Sequence, residues 1–167
     1  MTFSELQQHY QSLTKQFICS QTTIATMESC TSGFLASLLT DTEGASAVFK
    51  GSFVTYCNEA KTDCGVPEEL IRSFGVYSKE TAVSMAQTCR ERFHADLGIG
   101  VTGTFGNTDP NNSDSVSGMV YYAFASRDKV TCFCLEIPVQ NSRFEYKCAV
   151  AAEVLSHFPD LDKAGST

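Results

Sequence analysis

The segment that most constrains this chain is a β-prone run, Thr23-Ile24-Ala25-Thr26-Met27, that empties into the hydroxyl-rich turn Glu28-Ser29-Cys30-Thr31-Ser32-Gly33. The helix-like Phe34-Leu35-Ala36-Ser37-Leu38-Leu39 follows at once. A strand, turn and helix in that order gather backbone N–H groups and hydroxyls at a helix N-terminus. Such a turn can hold a phosphate, or present a nucleophilic serine beside ready-made oxyanion donors. Ser or Thr before a helix is also an ordinary N-cap, so the turn alone does not decide. Two more polar clusters, Thr55-Tyr56-Cys57-Asn58-Glu59-Ala60-Lys61 and Thr102-Gly103-Thr104-Phe105-Gly106-Asn107, also begin where apolar runs end. Three such clusters favour a site.

Periodicity organises the rest. Phe3, Leu6, Tyr10, Leu13 and Phe17 recur at three- and four-residue spacing, which predicts an amphipathic helix. A strand is expected over 22–27, a short helix over 33–40 and a long strand over 45–56 with Gly51 as a bulge. Asn58 reads as the N-cap of a helix over 59–64 ending at Gly65, and Pro67 opens another over 67–73. Ser78 caps a long helix over 79–93 whose Ala82, Met85, Ala86 and Cys89 share one face. Residues 96–101 read as a buried strand, 102–117 as a long polar loop, and 118–126 with 130–138 as a strand pair. A last helix runs from Ser142 to Leu155, Pro159 marks its end, and 160–167 form a tail behind a single domain over 1–159. Alternating strands and helices followed by a hairpin predict an α/β fold, a three-layer α/β/α sandwich with a mixed β-sheet.

Composition narrows the function. A chain of 167 residues suits one domain with its own core. The net charge of −7 and the lack of any basic run interleaved with aromatics argue against nucleic acid as a partner. No apolar run has the length of a membrane span and the N-terminus is polar, so a cytoplasmic protein without membrane contact is expected. The eight cysteines are scattered without a Cys-x-x-Cys pair and read as buried or half-buried free thiols. Cys132 and Cys134 would share a strand face, but without histidine neighbours they make a poor zinc site, so no metal is expected.

A nucleophilic Ser29 needs a base. His9, His94 and His157 lie far from the clusters in sequence, which disfavours a Ser-His-Asp triad. Lys61 is the alternative. With Asn58 as N-cap it occupies a first helical turn, where the macrodipole disfavours a cation, and desolvation pushes its pKa the same way. A lysine base needs its pKa brought from about 10.4 toward roughly 7–8. Taken alone, without its neighbours, Lys61 reads first as a solvated surface residue. Tyr56 can pass a proton or donate to an oxyanion, and equally can close the core. Cys30 is a rival nucleophile, but neighbours leaving a strand face opposite ways, so only one of the pair is expected to point into the site. Glu28 can orient Lys61 or sit favourably near a helix N-terminus.

Several blocks together resemble the C-terminal domain of the CinA (competence/damage-inducible protein A) family. They are Ala25 to Gly33, Gly44 to Phe49, Val54 to Lys61, Gly65-Val66-Pro67-Glu68, Gly75-Val76-Tyr77-Ser78, Ala95-Asp96 and Val101-Thr102-Gly103. They run in order over roughly residues 5–157. The resemblance implies an amidohydrolase that converts nicotinamide mononucleotide (NMN) to nicotinic acid mononucleotide and ammonia, through a Ser–Lys acyl-enzyme and without cofactor. It implies Ser29 as nucleophile, Lys61 as base, and Tyr56 and Thr102 as assistants. It further implies Glu28, Cys30, Thr31, Ser32, Gly33, Asn58 and Gly103 around the substrate, and Arg143 at the phosphate. The partner is then a small pyridine mononucleotide, with a homo-oligomer left open. The chain departs from the family at Ser32, where glycine is usual, and over Thr104–Ser117. A glycine-rich stretch is replaced there, with Asp109 and Asp114 in a loop expected near a phosphate. That departure keeps two alternatives open: a catalytically weak nucleotide-binding module of the same fold, or an amidase for another small amide.

Overall fold

The computed structural model describes residues 1–158. The expectations for Pro159 and the tail over 160–167 lie outside the described residues. The first helix, α1 (Phe3–Ser20), starts with a capping box in which Thr2 and Glu5 satisfy each other's backbone N–H groups. It buries Leu6, Tyr10, Leu13 and Phe17, as the spacing predicts. Then follow β1 (Ile24–Glu28), α2 (Phe34–Thr40), β2 (Phe49–Val54), α3 (Asn58–Cys64), α4 (Glu68–Phe74) and α5 (Lys79–Arg92). The chain closes with β3 (Leu97–Gly103), β4 (Met119–Ala125), β5 (Val130–Glu136) and α6 (Arg143–Ser156).

The five strands form one mixed sheet in the order β2-β1-β3-β4-β5. β1 pairs in parallel with β2 and β3, and the β3–β4 and β4–β5 pairs are antiparallel. On one face α1, α2 and α6 share a core with Ile24, Ile99, Val101, Tyr122 and Phe124. The Tyr10 hydroxyl donates to the Ala151 carbonyl at 2.9 Å, which ties α1 to α6. On the other face α5 covers the sheet through Met85 and Cys89 against Ala25 and Met27, and through Ala82 and Ala86 against Ala123 and Ala125. The expected α/β sandwich is the observed fold. Among the described residues no helix is long and apolar enough to cross a membrane.

Two boundaries differ most from expectation. The long strand over 45–56 is two pieces, a 3-10 turn at Ala45–Ala47 and then β2, because Gly44 sits in the left-handed region and redirects the chain. The register does slip beside Gly51, where Ile24 and Ala25 of β1 face Phe49 and Gly51. The expected loop over 102–117 begins later, since Thr102 and Gly103 extend β3 and pair with Tyr121 and Val120. The cysteines are all free, but Cys19, Cys57 and Cys134 are exposed, not buried or half-buried as expected.

Small residues set the distance between α5 and β3. A Cβ built on Gly100 would fall well inside van der Waals contact of the Ala82 carbonyl oxygen and would press on Met85. Backbone cannot yield as a flexible side chain does. Gly100→Ala is therefore expected to destabilise the fold by about 1–3 kcal/mol through overpacking. A urea midpoint equal to that of the wild type would show that α5 has more freedom than this packing allows.

Candidate active site

β1 decides which way each residue of the turn faces. Ile24 lies in the core under α1 and α2, whereas Ala25 and Met27 lie in the core under α5. That alternation carries Glu28 to the α2 side and Ser29 to the opposite side. Glu28 is fully buried, and its carboxylate accepts from the N–H groups of Leu35 (3.1 Å) and Ala36 (2.8 Å). It thus supplies the cap that Gly33, lacking a side chain, cannot give α2. The turn itself takes left-handed geometry at Ser32 (φ 54°) and Gly33 (φ 86°). Glycine adopts it freely, and serine at position 32 does so at a cost of about 1 kcal/mol.

Ser29 meets Lys61. The Nζ of Lys61 lies 3.1 Å from the Ser29 Oγ and donates to the Thr55 carbonyl at 2.8 Å. Lys61 is 1% exposed. Its pKa is lowered to about 8, first by burial, with the negative groups nearby, Glu59 and Asp109 among them, partly opposing the shift. Asn58 is not the N-cap of α3: that position is Cys57, whose Sγ accepts from Ala60 N–H, and Asn58 is the first helical residue. Lys61 therefore stands further along the helix, and desolvation supplies the shift that the helix end was expected to give. The expectation of a solvated surface lysine is overturned.

The pair opens onto a cleft of about 640 Å³. Of the residues expected in the site, Ser29, Cys30, Tyr56, Asn58, Lys61, Gly103 and Arg143 line it. Cys30 packs into the core beneath α2, and burial pushes its thiol up to about 12, which leaves it protonated and unreactive at neutral pH. Tyr56 is 61% exposed, so it does not close the core. Its hydroxyl accepts from the Arg143 guanidinium at 3.0 Å. Arg143, at the start of α6, also lies 5.1 Å from the centroid of Phe105, a ring stacked on Tyr146.

Five expected residues lie off the cleft wall. Glu28 caps α2, as described. Thr102 is buried and its hydroxyl donates to the Val76 carbonyl at 2.9 Å, because its strand position points it toward the segment before α5. Thr31 is buried, and Ser32 and Gly33 turn the chain away toward α2. The N–H groups of Cys30 and Thr31 meet no backbone carbonyl among the described residues. No histidine lines the cleft. Sequence reasoning missed Tyr77 and Asn112. Tyr77 sits one residue before the Ser78 cap, and its position reads as helix entry; only the folded chain turns its ring to the cleft.

The 104–118 loop forms one wall. Asp109 accepts from the Tyr77 hydroxyl and from Asn112 Nδ2, both at 2.6 Å, and from Asn111 N–H at 2.9 Å. Asn58 Nδ2 donates to Asn112 Oδ1 at 2.8 Å and so ties the loop to α3. Asp114 points elsewhere: it accepts from Tyr77 N–H at 3.2 Å and lies outside the cleft lining. Both acids were expected near a bound phosphate; only Asp109 faces the cleft.

Fold and site together define a three-layer α/β domain with a buried lysine hydrogen-bonded to a serine at the mouth of a parallel strand. The chain belongs to the CinA family: the CinA C-terminal domain model matches residues 6–158. A "CinA-like protein" of Cytophaga hutchinsonii is 41% identical over 116 residues, which is 69% of this chain and 28% of that protein. Another "CinA-like protein", of Chlorobium chlorochromatii, is 38% identical over 137 residues, 81% of this chain and 32% of that protein. The matched region thus spans less than a third of the length of these relatives. Among solved structures, competence/damage inducible protein CihA from Agrobacterium tumefaciens superposes with a TM-score of 0.84 at 29% identity, covering 95% of this chain and 96% of that one. The CinA superfamily protein ECK1530/EC0983 from Escherichia coli gives 0.81 at 23% identity, covering 93% and 90%, a likeness of fold.

Proposed function

We propose that this domain is a pyridine-mononucleotide amidase that hydrolyses NMN to nicotinic acid mononucleotide and ammonia. The observation that carries this reading is the 3.1 Å contact between Ser29 Oγ and a Lys61 Nζ whose pKa burial lowers to about 8. An amine of that pKa is neutral in a useful fraction of molecules near neutral pH and can accept the serine proton. Ser29 Oγ then attacks the carboxamide carbon. The N–H groups of Cys30 and Thr31, unpaired with backbone, are the candidate oxyanion donors. Lys61 returns the proton to the leaving ammonia, and water hydrolyses the acyl-enzyme with Lys61 again as base. Arg143, braced by Tyr56 and the Phe105 ring, is the cation at the cleft mouth available to a phosphate.

Ammonia release from NMN, beside nicotinamide, nicotinamide riboside and NAD, tests the reading. NMN is expected to be the preferred substrate, because it alone pairs an unobstructed carboxamide with a terminal phosphate. Binding of NMN without ammonia release at any pH from 6 to 10 would leave a nucleotide-binding module. Preferred turnover of a phosphate-free amide would move the substrate class.

A further inference from the structure

Asp109 has a position that the reaction scheme does not use. It shares the cleft wall with Ser29 and Lys61, yet neither is its hydrogen-bond partner. Its carboxylate is held by Tyr77, Asn112 and the Asn111 N–H, so it cannot swing out to solvent as a free surface acid would. Those hydrogen bonds, Tyr77 first, hold its pKa below the ordinary value, and the charge is present throughout the neutral range.

The scissile group beside it gains a negative charge during turnover. An amide substrate is neutral at the scissile group, whereas the product is a carboxylate. At neutral pH that carboxylate would sit against a protonated, buried Lys61, an ion pair that low solvent access makes hard to leave. A fixed negative charge on the same cleft weakens such a pair while leaving a neutral amide nearly untouched.

Resting on the amidase reading above, we propose that Asp109 is a specificity-determining residue that discriminates the neutral carboxamide from the carboxylate product and so promotes product release. Tyr77 and Asn112 are its positioning residues.

The test is calorimetric binding of NMN and of nicotinic acid mononucleotide to Ser29→Ala, which is expected to hold NMN without hydrolysing it, alone and combined with Asp109→Asn or Tyr77→Phe. The two ligands share ribose and phosphate and differ at the amide or acid. Asp109→Asn is expected to tighten the acid about 5–10-fold and the amide less than about twofold, the gap narrowing as salt rises toward about 0.3 M. Tyr77→Phe frees the carboxylate to turn away without removing its charge, and is expected to give a smaller gain in the same direction. Equal tightening of both ligands would overturn the proposal, since Asp109 would then act on the shared phosphate. So would unchanged affinities in both variants. The comparison needs no turnover: if both ligands bind and the wild type releases no ammonia, the amidase reading fails while the charge discrimination is still decided.

Discussion

Ser29→Ala is expected to reduce NMN hydrolysis by roughly 10⁴-fold or more, the scale lost when a covalent nucleophile is removed. The fold should be unaffected. The Ser29 side chain accepts one hydrogen bond, from Lys61, and the turn is held instead by the Ser29 N–H to the Val101 carbonyl and by Glu28 on α2. NMN binding should persist, because Arg143 and the cleft walls remain. Cys30→Ala is the control, and its rate should stay within a few-fold of the wild type. The thiol is buried in the core and pushed up to about 12, so it offers no thiolate to compete. Alanine is the better replacement than serine at this position, because a serine hydroxyl would be buried among apolar side chains. An active Ser29→Ala beside an inactive Cys30→Ala would transfer the nucleophile to Cys30.

Lys61→Met should have two effects of opposite sign. Activity falls by several orders of magnitude, and the limb of the pH profile that rises tenfold per unit up to about pH 8 disappears. Stability at neutral pH, in contrast, should increase. The folded pKa of about 8 lies below the ordinary 10.5, so the unfolded chain binds the proton more tightly than the native one. The penalty on the native state is therefore complete below pH 8, fades as pH rises from 8 to 10.5, and vanishes above. The depression corresponds to about 3 kcal/mol. Methionine fills similar volume without the charge, but it leaves the Thr55 carbonyl without its donor, which reduces the gain to about 1–2 kcal/mol. Urea unfolding of both proteins at pH 7 and pH 10 measures the difference directly. A gain that does not shrink between those pH values would mean that burial does not set the lysine's affinity for protons. A stabilised but inactive variant also excludes misfolding as the cause of lost activity.

The replaced loop acquires a different meaning once folded. In sequence, the missing glycines and added acids of 104–117 read as lost closeness to a ligand. In the structure Asp109, Asn112 and Asp114 tie the loop by side chains to Tyr77 and Asn58. Polar residues in a loop carry no period, so nothing local tells a solvated acid from one held by partners 32 residues away.

What the sequence determined by itself is the part governed by short-range rules. The stripe of Phe3, Leu6, Tyr10, Leu13 and Phe17 sets α1, Ser78 and Ser142 cap α5 and α6, and the run into Glu28-Ser29 is a strand feeding a turn. Alternation along β1 even separates Ser29 from Cys30, because strand side chains change face at every residue. Tertiary structure alone decided which polar groups are buried and with whom. Asn58 reads as the cap of α3, yet in the fold Cys57 holds that position and the Asn58 amide reaches Asn112 instead. Tyr56 turned outward to Arg143, 87 residues away, and Thr102 turned inward to Val76. Above all, Lys61 is a lysine in a short polar helix until β1 and β2 bring Ser29 and Thr55 against it. Its usefulness as a base comes from desolvation, a property of everything packed around it, which no residue within one helical turn encodes.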